Sequence, residues 1–385
     1  MKAVMIGAGQ IGRGFIGMLL EQSGYHVVFA DVDMDVIHDI NTRKEYTVHL
    51  VDTECVDTTV KNISAIYSGS PELIAEYSRC DLICTSVGLG ALPAIAPALA
   101  KGVAQRYASG VRSCLNIIAC ENAVRCSSQL KQLLLEYLSP EETDYLEKYI
   151  GFPDCAVDRI IPPAKGLPAA EVVVERYHEW DVEKAGFKGE VPAIKGMNVV
   201  DDITAYLERK LFMLNGPNAV TAFYGYLKGY KTINDAIKDE EIRAVVTGMM
   251  KECGNMLCLR HGFSPQAIDE YRESLLLRFQ NPFIIDDCLR VAREPARKLS
   301  PPDRIIAPMN HAQEYGINTP SYYTGVALGY LFDYPGDRQS WEIREMIQSI
   351  GVAETMEKIS GIVPGSRISE KILAEYNRLA QVFLS

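Results

Sequence analysis

The first half of the chain alternates short apolar runs with longer segments of mixed or helical patterning. The short runs are rich in Val, Ile, Leu and Ala, which is typical of strands buried inside a sheet. Strands that alternate with helices form a parallel sheet whose faces the helices cover. The runs occupy residues 3–6, 27–30, 82–87 and 115–120, and residues 46–59 and 172–177 predict an extra strand or hairpin each.

The patterning changes after Pro192, where long stretches follow a helical period and runs of β-branched residues disappear. Ser264 and Pro265 are a typical N-cap and first-turn pair, and Ser369 is expected to open the last helix. The chain therefore divides into an α/β domain, residues 1–195, and a mostly α-helical domain, residues 196–385. One predicted helix carries a core-facing stripe at spacings of three and four: Ile242, Val245, Val246, Met249, Met250, Cys253, Met256 and Leu257.

The composition and charge narrow the classes of protein. The chain has 385 residues, of which 48% are hydrophobic and 23% charged, so it is globular and long enough for two cores. Asp and Glu number 50 against 39 Lys and Arg, for a formal charge of −11. This is the wrong sign for binding nucleic acid. An acidic chain that binds an anionic small molecule needs a local cluster of Arg and Lys.

The sequence does not point to a membrane, to export or to a metal. The longest uncharged stretch, residues 82–100, is interrupted by glycines and prolines, and Arg13 comes too early for the apolar stretch of a signal peptide. We therefore expect a cytoplasmic protein whose ten cysteines are reduced and mostly buried. Cys258 and His261 form the only close Cys/His pair, which is too few ligands for zinc.

Residues 7–12 read Gly-Ala-Gly-Gln-Ile-Gly and directly follow the first predicted strand. This spacing allows a tight turn, a close approach of the backbone to a pyrophosphate, and a helix whose N-terminal dipole meets the anion. Asp31 ends the second predicted strand, where a carboxylate bonds a ribose 2′-hydroxyl and repels a 2′-phosphate, so NAD is favoured over NADP. An unrelated glycine-rich turn is the alternative. The candidate cofactor-binding residues of this Rossmann-type, doubly wound domain are Gly7, Ala8, Gly9, Gln10, Ile11, Gly12 and Asp31.

A second pattern pairs Lys210 with Asn215 in an apolar, helical stretch. A lysine acts as a general base when burial among apolar neighbours lowers its pKa. On a regular α-helix, residues five apart point about 140° away from each other. Both side chains therefore reach one substrate only if residues 216–217, Gly-Pro, end or bend the helix at Asn215. A solvent-exposed lysine and an asparagine that caps a helix also fit this spacing.

Asn122 follows the strand predicted at residues 115–120. Ligands of doubly wound sheets bind beyond the carboxyl ends of the strands. There an amide can donate a hydrogen bond to a developing alkoxide. An ordinary turn asparagine is the alternative.

Five separated segments carry a resemblance to a known family. Together they resemble the mannitol-1-phosphate 5-dehydrogenases, a branch of the long-chain polyol dehydrogenases, over the whole chain at matching length. The resemblance implies a Rossmann domain and a helical domain with the active site in the cleft between them. It also implies metal-independent, NAD-dependent interconversion of mannitol 1-phosphate and fructose 6-phosphate. The segments are Gly-Ala-Gly-Gln-Ile-Gly-Arg-Gly-Phe from Gly7, Asn-Ile-Ile-Ala-Cys-Glu-Asn from Asn116, Ala-Val-Asp-Arg-Ile-Ile-Pro-Pro from Ala156, Glu-Arg-Lys-Leu-Phe-Met-Leu-Asn from Glu208 and Arg-Lys-Leu-Ser from Arg297.

The resemblance also implies roles for single residues. Lys210 matches the catalytic lysine of the family, and Asn122 and Asn215 match the asparagines that polarise the reacting oxygen. Ser86, Val87 and Gly88 match a segment that follows a strand close to the nicotinamide.

Asn218 departs from the family pattern, which has a histidine three residues after the asparagine of the lysine motif. An asparagine can donate a hydrogen bond to an alkoxide, but it cannot carry a positive charge or shuttle a proton. We therefore expect slower chemistry on the same substrate, or a shifted substrate.

A basic cluster supplies positive charge in this acidic chain. Guanidinium groups suit bidentate phosphate binding, so at least one member of the cluster is expected to hold the substrate phosphate. A surface ion-pair network is the alternative interpretation. The cluster comprises Arg293, Arg297, Lys298 and Arg304.

Two other functions stay open. The same fold and chemistry could serve a hexuronate, such as fructuronate or tagaturonate, or another sugar-alcohol phosphate, because the basic cluster also suits a carboxylate. The missing histidine is compatible with a protein that binds NAD or a sugar phosphate with little turnover. In each case the expected partner is a small molecule, and the chain is a monomer or a small homo-oligomer.

Overall fold

The computed structural model describes residues 1–52, 54–162 and 166–384 and divides into two compact units, Met1–Tyr206 and Leu207–Ser385. Pro163, the last residue of the segment that begins at Ala156, lies outside the described residues. Strands and helices build the first unit, and helices build the second. The strands along the chain are β1 (Lys2–Ile6), β2 (His26–Asp31), β3 (Tyr46–Val51), β4 (Cys55–Val60), β5 (Ile63–Tyr67), β6 (Leu82–Thr85), β7 (Leu115–Ala119), β8 (Ile150–Gly151), β9 (Cys155–Asp158), β10 (Val172–Glu175), β11 (Glu179–Glu183) and β12 (Met197–Val200).

A parallel six-stranded sheet forms the centre of the first unit, in the order β5-β2-β1-β6-β7-β8. Counted along the chain within this sheet, the order is 3-2-1-4-5-6, which is the order of dinucleotide-binding folds. The direction of winding reverses between β1 and β6, and ligands bind beyond the carboxyl ends of strands at such a switch point. Two smaller sheets have the orders β10-β3-β4 and β12-β11-β9.

The central strands are apolar because both faces of the sheet are covered. Ala3 and Met5 pack into one hydrophobic core of the first unit, whereas Val4 and Ile6 pack into the other. Such alternation follows from the pleat of a strand, in which successive side chains point to opposite faces. A strand buried on both faces reads as a continuous apolar run, which explains why the four runs predicted these strands correctly.

The extra strands were only partly predicted. Within the prediction for residues 46–59, Tyr46–Val51 and Cys55–Val60 pair as the antiparallel strands β3 and β4, and residues 172–177 contain β10, which pairs with β3. The prediction of a strand over residues 82–87 was two residues too long, because β6 ends at Thr85. The patterning did not reveal β5, β8, β9, β11 or β12, which have two to five residues between turns or alternate charged with apolar positions, as in β11.

Helices cover the central sheet and build all of the second unit. No helix of the described residues combines the length and the apolar character needed to cross a bilayer. The helices are α1 (Met18–Gln22), α2 (Met34–Arg43), α3 (Glu72–Arg79), α4 (Leu92–Ala108), α5 (Cys126–Leu135), α6 (Pro140–Tyr149), α7 (Ile203–Arg209), α8 (Gly216–Leu227), α9 (Ile233–Ala236), α10 (Glu240–His261), α11 (Pro265–Phe279), α12 (Cys288–Ala292), α13 (Pro295–Lys298), α14 (Ile306–Glu314), α15 (Pro320–Leu331), α16 (Arg338–Ile350), α17 (Val352–Ser360) and α18 (Arg367–Phe383).

The long helix α10 is the centre of the second unit and packs against α8, α11, α14 and α15. Its predicted stripe is confirmed, since seven of the eight residues are buried and Val245 is half-buried. Ser264 caps α11 as predicted, by accepting a hydrogen bond from the Ala267 N–H at 3.1 Å. Seven of the ten cysteines are buried and none forms a disulfide within the described residues.

Two predicted helix boundaries were wrong. The last helix begins after Ser366, whose hydroxyl accepts the Ser369 N–H at 3.2 Å, so Ser369 lies in the first turn and is buried. The helix that contains Lys210 does not end at Asn215. It continues through Gly216 into α8, with both Asn215 and Gly216 in the right-handed helical conformation.

The helix after β1 packs closely against β10, and replacing Gly14 by alanine tests this contact. A Cβ at Gly14 would lie 2.6 Å from Val174 Cγ1 and 2.9 Å from Val172 Cγ2. We expect Gly14→Ala to lower the free energy of unfolding by about 1–3 kcal/mol in a denaturant titration, because the core is overpacked. Gly90, whose added Cβ would meet no atom within 4 Å, is the matched control. Wild-type stability of Gly14→Ala would contradict the packing described.

Candidate functional site

The glycine-rich turn after β1 fits closely against the end of β6. Gly7 has a φ of 92°, and its N–H donates to the Ala30 carbonyl at 2.8 Å. A Cβ on Gly7 would lie 2.5 Å from the Ser86 carbonyl oxygen, and one on Gly12 would overlap the Gly7 carbonyl. Larger residues at Gly7 and Gly12 would therefore push apart the two strands that meet at the switch point of the sheet.

Asp31 lies at the carboxyl end of β2 and stabilises the glycine-rich turn through hydrogen bonds. One carboxylate oxygen accepts the Ala8 N–H at 2.5 Å, and the other accepts the N–H groups of Val32 and Asp33 at 2.7 and 3.0 Å. A carboxylate offers about four acceptor sites, so these three donors leave capacity for a hydroxyl group. Its position next to the turn is the one where an acidic residue meets the ribose of a dinucleotide.

A buried carboxylate that the sequence did not reveal fixes the segment from Ser86 to Gly88. Glu121 is 4% exposed and accepts the Thr85 hydroxyl at 2.7 Å and the N–H groups of Val87 and Gly88 at 2.9 and 2.8 Å. These bonds turn the chain away from the sheet after Thr85, which is why β6 is shorter than predicted. The same bonds fix Glu121, which directly precedes Asn122. Asn122 itself is exposed and lies just after β7. An acidic residue directly after a buried strand was the available signal.

Lys210 begins a π-helical segment, Lys210–Asn215, between α7 and α8. The Gly216 N–H donates to the Leu211 carbonyl, five residues back. In such a turn, residues five apart lie on neighbouring turns of one face, whereas a regular α-helix separates them. The wider turn, rather than an end of the helix, is therefore what brings Lys210 and Asn215 to the same side.

The amides of Asn215 and Asn218 follow Lys210 on the next turn. Both residues are half-buried. Neither amide forms a hydrogen bond with any residue that the structure describes, and the Oδ1 atom of Asn218 is fully buried. Buried polar atoms without partners are rare and costly, so the Asn218 amide is suited to receive a polar ligand.

The helical turn before Lys210 is anchored by contacts that the sequence did not predict. Glu208 accepts hydrogen bonds from Arg260 Nε at 2.9 Å and from His261 Nε2 at 2.6 Å. Burial opposes the charge of Glu208, but these two donors hold the pKa of its carboxyl below the ordinary value. The guanidinium of Arg209 lies 4.4 Å from the centre of the Tyr271 ring. The end of α10 and the start of α11 thereby fix the position from which Lys210 projects.

The basic cluster separates into paired and unpaired members. Arg297 binds Glu294 and Asp303 at 2.7 and 3.1 Å, and Arg304 binds Asp303 at 2.7 Å. Arg293 is exposed and donates only to a backbone carbonyl within the residues described. All three are surface or paired cations of the kind that the ion-pair interpretation predicts.

Lys298 differs from the other members because it is 5% exposed. No carboxylate of the described residues lies within salt-bridge distance of it. Burial, together with the nearby charges of Arg304 and Arg297, lowers the pKa of Lys298 to about 8. The backbone of Arg304 lies against Gly216, where an added Cβ would overlap the Arg304 carbonyl oxygen. The cluster therefore adjoins the helix of Lys210, Asn215 and Asn218.

Two solved structures are similar to this chain in fold. A D-sorbitol dehydrogenase in substrate-free form has a TM-score of 0.85 at 16% identity, over 99% of this chain and 93% of that one. The Pseudomonas fluorescens mannitol 2-dehydrogenase, in a ternary complex with NAD and D-mannitol, has a TM-score of 0.71 at 17% identity, over 100% of this chain and 92% of that one.

The sequence itself matches two family models. Residues 1–196 match the mannitol dehydrogenase Rossmann domain, and residues 202–380 match the mannitol dehydrogenase C-terminal domain. The described sheet order and the helical second unit agree with this two-domain fold. The chain belongs to the mannitol dehydrogenase family.

Proposed function

We propose that this protein is an NAD-dependent polyol-phosphate dehydrogenase that interconverts D-mannitol 1-phosphate and D-fructose 6-phosphate without a metal. The observation that carries the proposal is the contact between the backbone of Arg304 and Gly216. It joins a basic cluster that contains the buried Lys298 to the helix that bears Lys210 and Asn215. A lysine base beside a site for an anion suits a phosphorylated polyol.

The residues around the glycine turn fit NAD. The turn leaves its backbone open to a pyrophosphate, and the following helix presents its N-terminus to that anion. Asp31 has acceptor capacity left for a ribose hydroxyl and would repel the extra phosphate of NADP. The similar mannitol 2-dehydrogenase was solved with NAD, which supports the same cofactor here.

In the proposed oxidation, Lys210 in its neutral form takes the proton from the substrate hydroxyl. Asn215, on the same face of the helix, donates an N–H to the oxygen as it becomes an alkoxide, and Asn122 supplies a second donor. Asn218 assists by holding a substrate hydroxyl with its buried Oδ1. NAD, held by the glycine turn and Asp31, would supply the acceptor for the hydride that leaves C5.

The experiment that tests the function measures loss of NADH absorbance with fructose 6-phosphate, free fructose, fructuronate and tagaturonate as separate substrates. We expect turnover with fructose 6-phosphate and NADH, and much less with NADPH, because of Asp31. Turnover with a uronate alone would reassign the substrate. Binding of NADH, seen as thermal stabilisation, without turnover on any substrate would favour a binding protein.

Replacing Lys210 by alanine tests the proposed base. We expect kcat to fall by about 10² to 10⁴, the range for loss of a general base, while NADH affinity stays nearly constant. Lys238→Ala is the control, because Lys238 is an exposed lysine of the same unit that pairs with Asp235. Near-normal turnover of Lys210→Ala would remove this lysine from the mechanism.

Replacing Lys298 by methionine tests the phosphate site. The cationic form of Lys298 binds a phosphate, and it is lost as the pH rises through its pKa of about 8. We therefore expect the KM for fructose 6-phosphate to rise between pH 7 and 9 in the wild type. Lys298→Met should have a KM about tenfold higher or more at pH 7, without the rise.

The control for this variant is Arg293→Ala, which removes an exposed arginine of the same cluster. We expect its KM to follow the wild-type pH dependence. An unchanged KM in Lys298→Met at pH 7 would show that this lysine does not hold the phosphate. Arg304→Met and Arg297→Met would then be compared in the same assay.

A further inference from the structure

The helix that follows the glycine turn contains a second π-helical segment, Gly12–Gly17. The Met18 N–H donates to the Phe15 carbonyl, three residues back, whereas a regular α-helix would bond it to Gly14. The carbonyls of Arg13 and Gly14 lie within this irregular segment.

Two side chains from other parts of the first unit donate hydrogen bonds to these carbonyls. The Tyr46 hydroxyl, from β3, donates to the Arg13 carbonyl at 2.8 Å. Arg159 directly follows β9, and its Nη1–H donates to the Gly14 carbonyl at 2.9 Å. Tyr46 is fully buried and Arg159 is 7% exposed, so water cannot readily take their place.

Arg159 is itself held in place. Its Nε–H donates to the Glu175 carbonyl at 2.8 Å, and its guanidinium lies 5.5 Å from the centre of the Phe15 ring. Burial lowers the pKa of Arg159 to about 10, so it remains a cation at neutral pH. Burial raises the pKa of Tyr46, so its hydroxyl remains protonated and can donate.

The π segment is linked in turn to the glycine turn. Arg13 is 6% exposed, and its Nε–H donates to the Ala170 carbonyl at 2.9 Å while its Nη1–H donates to the Ala8 carbonyl. The Ala8 N–H is bound by Asp31. A change in the path of residues 12–17 would therefore move the backbone that faces the cofactor.

We propose that Tyr46 and Arg159 are positioning residues for dinucleotide binding, which act by capping the carbonyls of Arg13 and Gly14 and so fixing the path of the π segment. The inference rests on the proposed role of the glycine turn in binding NAD. It assigns a task to the arginine of the segment Ala-Val-Asp-Arg from Ala156, far in sequence from the turn.

The first test compares Tyr46→Phe and Arg159→Met with the wild type. We expect the Kd for NADH, measured by calorimetry, and the KM for NADH to rise by about three- to tenfold, because one hydrogen bond to the π segment is lost. The kcat and the KM for the sugar substrate should stay within about twofold. Arg159→Lys should recover part of the affinity, since a lysine keeps one charged donor.

The matched controls remove buried donors elsewhere. Tyr330→Phe loses a buried hydroxyl contact to Ser360 at 2.6 Å in the second unit. Arg106→Met loses buried bonds to the carbonyls of Ser78 and Ser113, both at 3.0 Å, in the first unit. Both controls should lower thermal stability and leave the NADH affinity unchanged. Equal loss of NADH affinity in the controls would overturn the proposal by showing a general effect of stability.

Hydrogen exchange of the unliganded protein separates this proposal from the proposed function. Amides of residues 12–20 should exchange at least about tenfold faster in Tyr46→Phe and Arg159→Met than in the wild type or the two controls. Unchanged exchange in both variants would overturn the capping role. If the wild type does not bind NADH, the proposed cofactor and the link to dinucleotide binding both fail, whatever the exchange rates are.

Discussion

A π-helical segment shapes both regions of this protein where chemistry is proposed. Each π segment inserts one residue into a helical turn, and such insertions are frequently found at functional sites. In Lys210–Asn215 the insertion brings a lysine and an asparagine to one face. In Gly12–Gly17 it lets the helix pass close to β10, with a glycine at the contact. Both geometries depend on tertiary partners.

Those partners are mostly buried polar groups that bind the backbone. Arg159 and Tyr46 donate to carbonyls of the first π segment, Gly12–Gly17. Glu121 accepts from backbone amides just after β6. Arg260 binds the carboxylate of Glu208, two residues before the second π segment, Lys210–Asn215. A buried charged group is tolerated when it is paired and its polar atoms form hydrogen bonds. These side chains use their hydrogen-bonding groups to hold stretches of irregular chain in place. The same contacts therefore stabilise the fold and fix the geometry of the proposed site.

The sequence predicted what depends on local pattern and missed what depends on tertiary contact. The central strands, the stripe of α10 and the Ser264 cap follow from periodicity and capping, which are local. The π segments have the same apolar spacing as ordinary helices, so the prediction for Asn215 invoked an end or a bend of the helix, whereas the helix continues through Gly216. The choice of Ser366 over Ser369 as a cap depended on which serine the core buries. The burial of Lys298 likewise had no signature in its neighbours along the chain.

The burial of Lys298 bears on which anion the proposed site suits. A buried cation beside Arg304 and Arg297 costs the folded protein free energy while it lacks a counterion, and the same burial and like charges lower the pKa of Lys298. An anion that enters the site returns this free energy as binding energy and raises the pKa of the lysine again. A phosphate dianion has two charges and three acceptor oxygens, so it can engage Lys298 and Arg304 together. A carboxylate has one charge to share between them, so on this argument the proposed site favours a phosphate over a uronate.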